Sequence, residues 1–139
     1  MPVKGFPVED MKAKQKTYPG KRIDTAMLTQ QFTQSLQAGG WKTSQSVDSE
    51  RAVVQAQKVG FLRDIITADR ALTFTFENVP EGFRVTVGVG RRLENIAIAA
   101  AEALLLTELF LAVDIPEMLW SEHVEKGIVK ELDGMINGM

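Results

Sequence analysis

The sequence predicts an α+β domain: a four-stranded antiparallel sheet preceded by one amphipathic helix and followed by two C-terminal helices. Three observations carry this expectation. Apolar residues recur at intervals near four between positions 23 and 36, alternate with polar ones between 72 and 89, and return to helical spacing after Gly90. With no internal repeat, low-complexity tract or interior linker, residues 23–139 read as a single domain.

Residues 1–22 hold two early prolines, a Tyr18-Pro19-Gly20 turn signal and six basic side chains, but few regularly spaced apolar ones. They are expected to form a flexible basic arm. Asp24 is placed to cap a helix whose apolar positions are Ile23, Met27, Leu28, Phe32 and Leu36, and Gly39-Gly40 supplies its stop. The period then changes. Residues 41–47 and 52–59 read as a first strand pair, separated by Ser and Asp. In the second pair Leu72, Phe74 and Phe76 alternate with Thr73, Thr75 and Glu77, and Phe83, Val85, Val87 and Val89 alternate with Arg84, Thr86 and Gly88. This pattern predicts a hairpin with one apolar face on the core and one wet face, reversed at residues 78–82. Residues 60–69 carry Phe61, Leu62, Ile65 and Ile66 without a clean period, which leaves a short helix and a bulged strand extension both open.

After Gly90 the pattern is helical and strongly apolar from 93 to 113. At 100° per residue, Glu94, Asn95, Glu102 and Glu108 share an arc of about 140°, and the rest of the surface is almost entirely Ala, Leu, Ile, Phe and Val. Asp114-Ile115-Pro116-Glu117 reads as a capping box that opens a last helix. Along it Trp120, Val124, Ile128, Leu132 and Ile136 form a ladder of strict four-residue spacing that needs a partner surface.

Composition excludes several chemistries. Without cysteine there are no disulfides, no thiolate nucleophile and no sulfur-ligated metal, which suits a cytoplasmic location. No apolar run follows the basic residues at the amino terminus, so a secretory signal is not expected in the chain as given. The net charge of −2 divides unevenly: residues 1–90 carry 12 basic and 9 acidic side chains, and residues 91–139 carry 4 and 9. Halves of +3 and −5 can attract each other within the fold or between copies, and neither is basic enough to predict nucleic-acid binding. The hairpin's phenylalanines are also expected to point away from its polar face, which argues against base stacking there.

Gly88 and Gly90, followed by Arg91 and Arg92, stand where a strand hands over to a helix, so exposed amides and two guanidinium groups could meet an anion. The dinucleotide fingerprint fails because its third glycine position is Leu93. Glu102 and Glu108 interrupt an apolar run, and burial there would raise a carboxyl pKa toward the range of general acid–base work; a solvated stripe or structural ion pairs is the plainer account. His123 is the only histidine, with no HExxH spacing and no nucleophile elbow elsewhere, so neither a metal site nor a catalytic triad is expected. No cofactor is expected, and catalysis is not the favoured reading.

The leading expectation is a non-catalytic assembly domain that buries Leu105, Leu109, Phe110 and the ladder residues Trp120, Val124, Ile128 and Leu132 against identical copies or a larger complex. The alternative is a binding module holding an apolar small molecule or lipid between sheet and helix. A membrane surface fits less well: two glutamates near the middle of 93–113, at roughly 2 to 3 kcal/mol each, offset the insertion free energy of its aliphatic residues. An enzyme built on a buried glutamate is the third reading.

Overall fold

The computed structural model describes residues 13–48, 50–62, 65–93, 109–113 and 115–139. Strand β1 (Ala13–Pro19) leads into helix α1 (Thr25–Ala38), and four strands follow: β2 (Lys42–Val47), β3 (Arg51–Gln57), β4 (Arg70–Val79) and β5 (Gly82–Arg91). A C-terminal helix, α2, is built without a break from an α-turn (Glu117–Trp120), a π-wound segment (Ser121–Val129) and an α-helical end (Lys130–Asn137). The class is α+β as expected, but the sheet has five strands in the order β1-β5-β4-β3-β2, every neighbour antiparallel.

The fifth strand comes from the expected arm. β1 pairs with β5 from Ala13↔Gly88 to Pro19↔Gly82, yet Tyr18 is its one buried side chain. A strand held by backbone pairing with a single buried residue carries no alternation for a sequence reading to find. Its lysines and Pro19 also suit an edge, where charge and proline deter pairing with another chain.

Helix α1 begins where expected. Asp24 Oδ1 accepts from the amides of Ala26 (3.1 Å) and Met27 (3.2 Å), satisfying two donors that the first turn leaves without carbonyl partners. Leu28, Phe32 and Leu36 are buried against the sheet, with the Phe32 ring edge-on to Phe74 at 4.8 Å, whereas Met27 is 49% exposed. The second hairpin reverses at Pro80-Glu81; Gly82 there adopts φ 153 and lies against the Tyr18 carbonyl, a place with no room for a Cβ. Residues 65 and 66 lie in turns, and Ile65 and Ile66 pack on the rim of the core.

One face of the sheet forms the main core: Ala52, Val54, Leu72, Phe74, Phe76, Phe83, Val85 and Val87 meet α1 and the α2 ladder. The opposite face is not the wet one expected. Thr73, Thr75 and Thr86 are buried, and Val53 packs with Leu93, Leu109 and Phe110. Gln55 satisfies this face: its Nε2 donates to Thr73 Oγ1 (3.1 Å) and the Arg91 carbonyl (2.8 Å), and its Oε1 accepts from the Leu93 amide (2.8 Å).

The first of the two expected C-terminal helices, 93–113, is corrected where it is described. Residues 110–113 are not helical; Phe110 bridges to Gly90, and the Leu111 amide donates to the Val89 carbonyl at 2.8 Å. Residues 94–108 lie outside the described part. The last helix starts later than the capping box implied: its cap position is Pro116, which offers no side-chain bond, and Ile115 before it is buried outside the helix.

Candidate functional site

The charge asymmetry of the sequence is resolved where β1 meets α2. Lys14 Nζ reaches Glu117 Oε1 and Glu125 Oε1, both at 2.9 Å, and Lys16 Nζ reaches Asp133 Oδ1 at 2.6 Å. The Tyr18 hydroxyl donates to the same Asp133 oxygen at 2.6 Å. Alternation along the strand and a spacing of about two turns along the helix bring these groups together over more than a hundred residues of chain. Basic amino-terminal and acidic carboxyl-terminal residues thus attract each other within one fold.

These contacts set the titration of the seam. Burial works against the Lys14 charge, but hydrogen bonds from its ammonium to Glu117 and Glu125 outweigh that and hold its pKa above the ordinary value. Burial, then the hydrogen bond and charge of Asp133, push the Tyr18 phenol well above the ordinary tyrosine value. Asp133 moves the other way, held below the usual carboxylate range by the hydrogen bonds from Lys16 and then Tyr18.

The winding of α2 matches the spacing of its ladder. Four residues overshoot one α-helical turn by about 40°, so a strict four-residue ladder rotates by about 160° over four steps. A π-helix closes on i→i+5 bonds and holds more residues per turn, so the same spacing undershoots. In α2 the steps from Trp120 to Val124 and Ile128 fall in the π segment, the step to Leu132 crosses out of it, and the step to Ile136 falls in the α-helical end. The two drifts oppose, which keeps one face on the sheet: Trp120, Val124, Leu132 and Ile136 are buried and Ile128 is half-buried.

Between this helix and the β1–β5 edge lies a groove of about 230 Å³. Val85, Val87, Trp120, Val129 and Leu132 give it an apolar lining, and Lys14, Lys16, Tyr18 and Glu125 line it as well. Trp120 is fully buried and its indole Nε1–H meets no acceptor among the described residues. π-wound segments are rare and are often found at functional sites, and here one forms a wall of the groove. The sequence marks this place only in part: Trp120 and Leu132 stand among the interface or apolar-ligand candidates, but the β1 side of the groove lies in the expected arm.

The residues singled out from sequence are distributed elsewhere or only partly here. Trp120 and Leu132 line the groove; Val124 and Ile128 belong to or border the core that α2 forms with this chain's own sheet. Leu109 and Phe110 pack on the second face of the sheet. Leu105, Glu102 and Glu108 lie outside the described residues. Gly88 and Gly90 sit inside the β4–β5 ladder, not in a loop between strand and helix, and the helix start that was to present amides is outside the described part. A Cβ at Gly90 would stand 2.5 Å from Thr73 Oγ1 and 2.9 Å from the Leu109 carbonyl, so this glycine admits the bridging segment. Arg91 and Arg92 are exposed; Arg92, with Lys42, Ser44 and Gln57, lines a smaller polar hollow of about 130 Å³. His123 is exposed, its ring 6.1 Å from that of Phe61. Among the described residues no cluster of three His, Asp or Glu could hold a metal, and no helix is long and apolar enough to cross a membrane.

No protein family, curated protein or solved structure matches this chain.

Proposed function

We propose that this domain binds an apolar small molecule in the groove between the β1–β5 edge and α2. The observation that carries this reading is the lining: three aliphatic side chains from α2 and β5 flank Trp120 and Val87, inside a frame of ion pairs that ties β1 to the helix. Apolar walls with a few polar groups at the margin are the ordinary composition of a small-molecule site. The volume fits a small occupant, since a cavity of about 150 Å³ accepts benzene. A two-ring hydrocarbon is therefore the scale of ligand to test. Methyl-resonance titration of the folded protein with tetralin should move Val85, Val87, Val129 and Leu132 together. If none of them responds at the solubility limit of tetralin, the reading fails.

Assembly with identical copies or a larger complex is the second reading. The apolar composition of 93–113 favours it, as does Met118, which is 71% exposed at the start of α2. Light scattering over a wide dilution range should then show a concentration-dependent mass; a constant monomer mass disposes of assembly between copies.

A further inference from the structure

The polar hollow lies on the face of the sheet opposite the groove, where β2 and β3 meet the end of β5. Antiparallel register sets Lys42 across from Gln57 and Ser44 across from Gln55, so alternate side chains of the two strands line it together. Its floor is fixed. Gln57 Nε2 donates to the Arg70 (2.7 Å) and Thr67 (3.3 Å) carbonyls, and Gln55 is held by the three bonds described above. The Arg92 amide donates to the Asp69 carbonyl at 2.9 Å, which seats the arginine at the rim. We infer that this hollow binds a phosphate group, free or as the monoester of a small molecule, between the Lys42 ammonium and the Arg92 guanidinium, with the Ser44 hydroxyl as a third donor. The site is independent of the groove and of the function proposed for it.

Unbalanced charge carries the inference. Lys42 lines the hollow from its β2 side and Arg92 from its β5 side, and among the described residues neither forms an ion pair. No carboxylate lines it: the other members are Thr43, Ser44, Gln55, Gln57 and Ala71. The groove margin differs, because there Lys14 and Lys16 are both answered by carboxylates. At the same end of the sheet Arg70 and Arg91 stand directly across the ladder, a like-charge pair that adds to the positive field. Asp69, in the adjoining turn, lies outside the lining, and its carboxylate accepts from the Thr67 hydroxyl at 2.6 Å. A phosphate monoester carries close to two negative charges at neutral pH and so matches both cations, whereas a carboxylate matches one. Arginine presents a fork suited to two phosphate oxygens and lysine a point charge. A volume of about 130 Å³ has room for the group, and the exposed rim at Lys42, Ser44 and Arg92 leaves the rest of a monoester in solvent.

Amide resonances of the full chain, followed in titrations with inorganic phosphate, methyl phosphate and acetate at fixed ionic strength, test this. Phosphate should saturate with a dissociation constant on the order of 1–10 mM, as two exposed charge-assisted contacts allow, and the largest shifts should fall at Lys42, Ser44, Gln57 and Arg92. Acetate should bind at least about fivefold more weakly. Lys42→Gln and Arg92→Gln should each weaken phosphate by about fivefold or more, whereas Lys126→Gln, on α2, should leave it unchanged. The three side chains are exposed, so the variants should keep the wild-type fold; if one does not, the map of shifts in wild type decides. Methyl phosphate binding as tightly as phosphate assigns a monoester, and phosphate binding alone assigns the free ion. Shifts that grow without saturating, or that are as large at Lys58 and Lys126 as at Lys42, would overturn the inference. So would acetate binding as well as phosphate, or hollow variants that bind as wild type does.

Discussion

Asp133→Ala should unfasten β1 from α2. The carboxylate accepts from Tyr18 Oη and Lys16 Nζ on a single oxygen, each at 2.6 Å, and it is 31% exposed. A hydrogen bond to a charged group contributes about 1.5–3 kcal/mol when buried, and the Tyr18 end of this one is buried. The lysine is 59% exposed, so its bridge adds about 0–1 kcal/mol at most. With solvent screening the expected loss is about 2 kcal/mol, and most of it should be coupled to the phenol. Tyr18→Phe removes the same bond from the other side and should cost about 1 kcal/mol, since Lys16 still serves Asp133. A double-mutant cycle in urea, read as midpoints at unchanged m, should give a coupling of about 1 kcal/mol. The pH dependence has a fixed sign. A carboxyl whose folded pKa is depressed stabilises above its unfolded value and loses that contribution as pH falls through the folded one, so wild type and Asp133→Ala should converge below about pH 3.9. A coupling near zero, or an Asp133→Ala loss under about 0.5 kcal/mol, would refute the anchoring role.

Tyr18 is the only tyrosine, so tyrosinate absorbance reads it directly. Its raised pKa predicts no ionisation in the folded protein near the ordinary value of about 10, and stability that declines as pH rises above that value; a normal titration curve in the native state would contradict the seam geometry. Gly90→Ala places a methyl against Thr73 and the Leu109 carbonyl and should destabilise by about 1–3 kcal/mol, as overpacking does. A neutral effect would mean the segment bridging at Phe110 does not press on β5.

The parts of the fold that were legible in sequence are those in which burial alone imposes a period. Phe74 and Phe76 against Val85 and Val87 declared a hairpin because one face is apolar throughout, and Asp24 with Gly39-Gly40 declared the ends of α1 through cap and stop chemistry. β1 was illegible because its pairing uses backbone groups and its lysines find carboxylates more than a hundred residues away. The second face of the sheet was misread for a related reason. Threonine serves a wet face and a buried one equally well, and only the side-chain bonds of Gln55 and the return of the chain at Leu109 distinguish them. The groove fell between these cases: Trp120 and Leu132 were singled out, but the β1 side that completes it was not.

The π winding of α2 has two competing causes, and one substitution separates them. Either the strict spacing of the ladder imposes it, or Gly127, inside the π segment, merely permits a slack backbone. Gly127 is exposed, its φ is outside the left-handed region, and a Cβ there meets nothing within 4 Å. Alanine would thus introduce no clash and would remove backbone freedom from the unfolded chain. If the ladder sets the winding, Gly127→Ala should stabilise by about 0.4–1 kcal/mol and leave the groove methyl resonances in place. If slackness at glycine is what allows the wider turn, the same change should destabilise the protein and shift Val129 and Leu132, the helix side of the groove. The ladder argument predicts the first result, because rotating α2 back to uniform α-winding would turn either Trp120 or Ile136 out of a core in which neither is exposed.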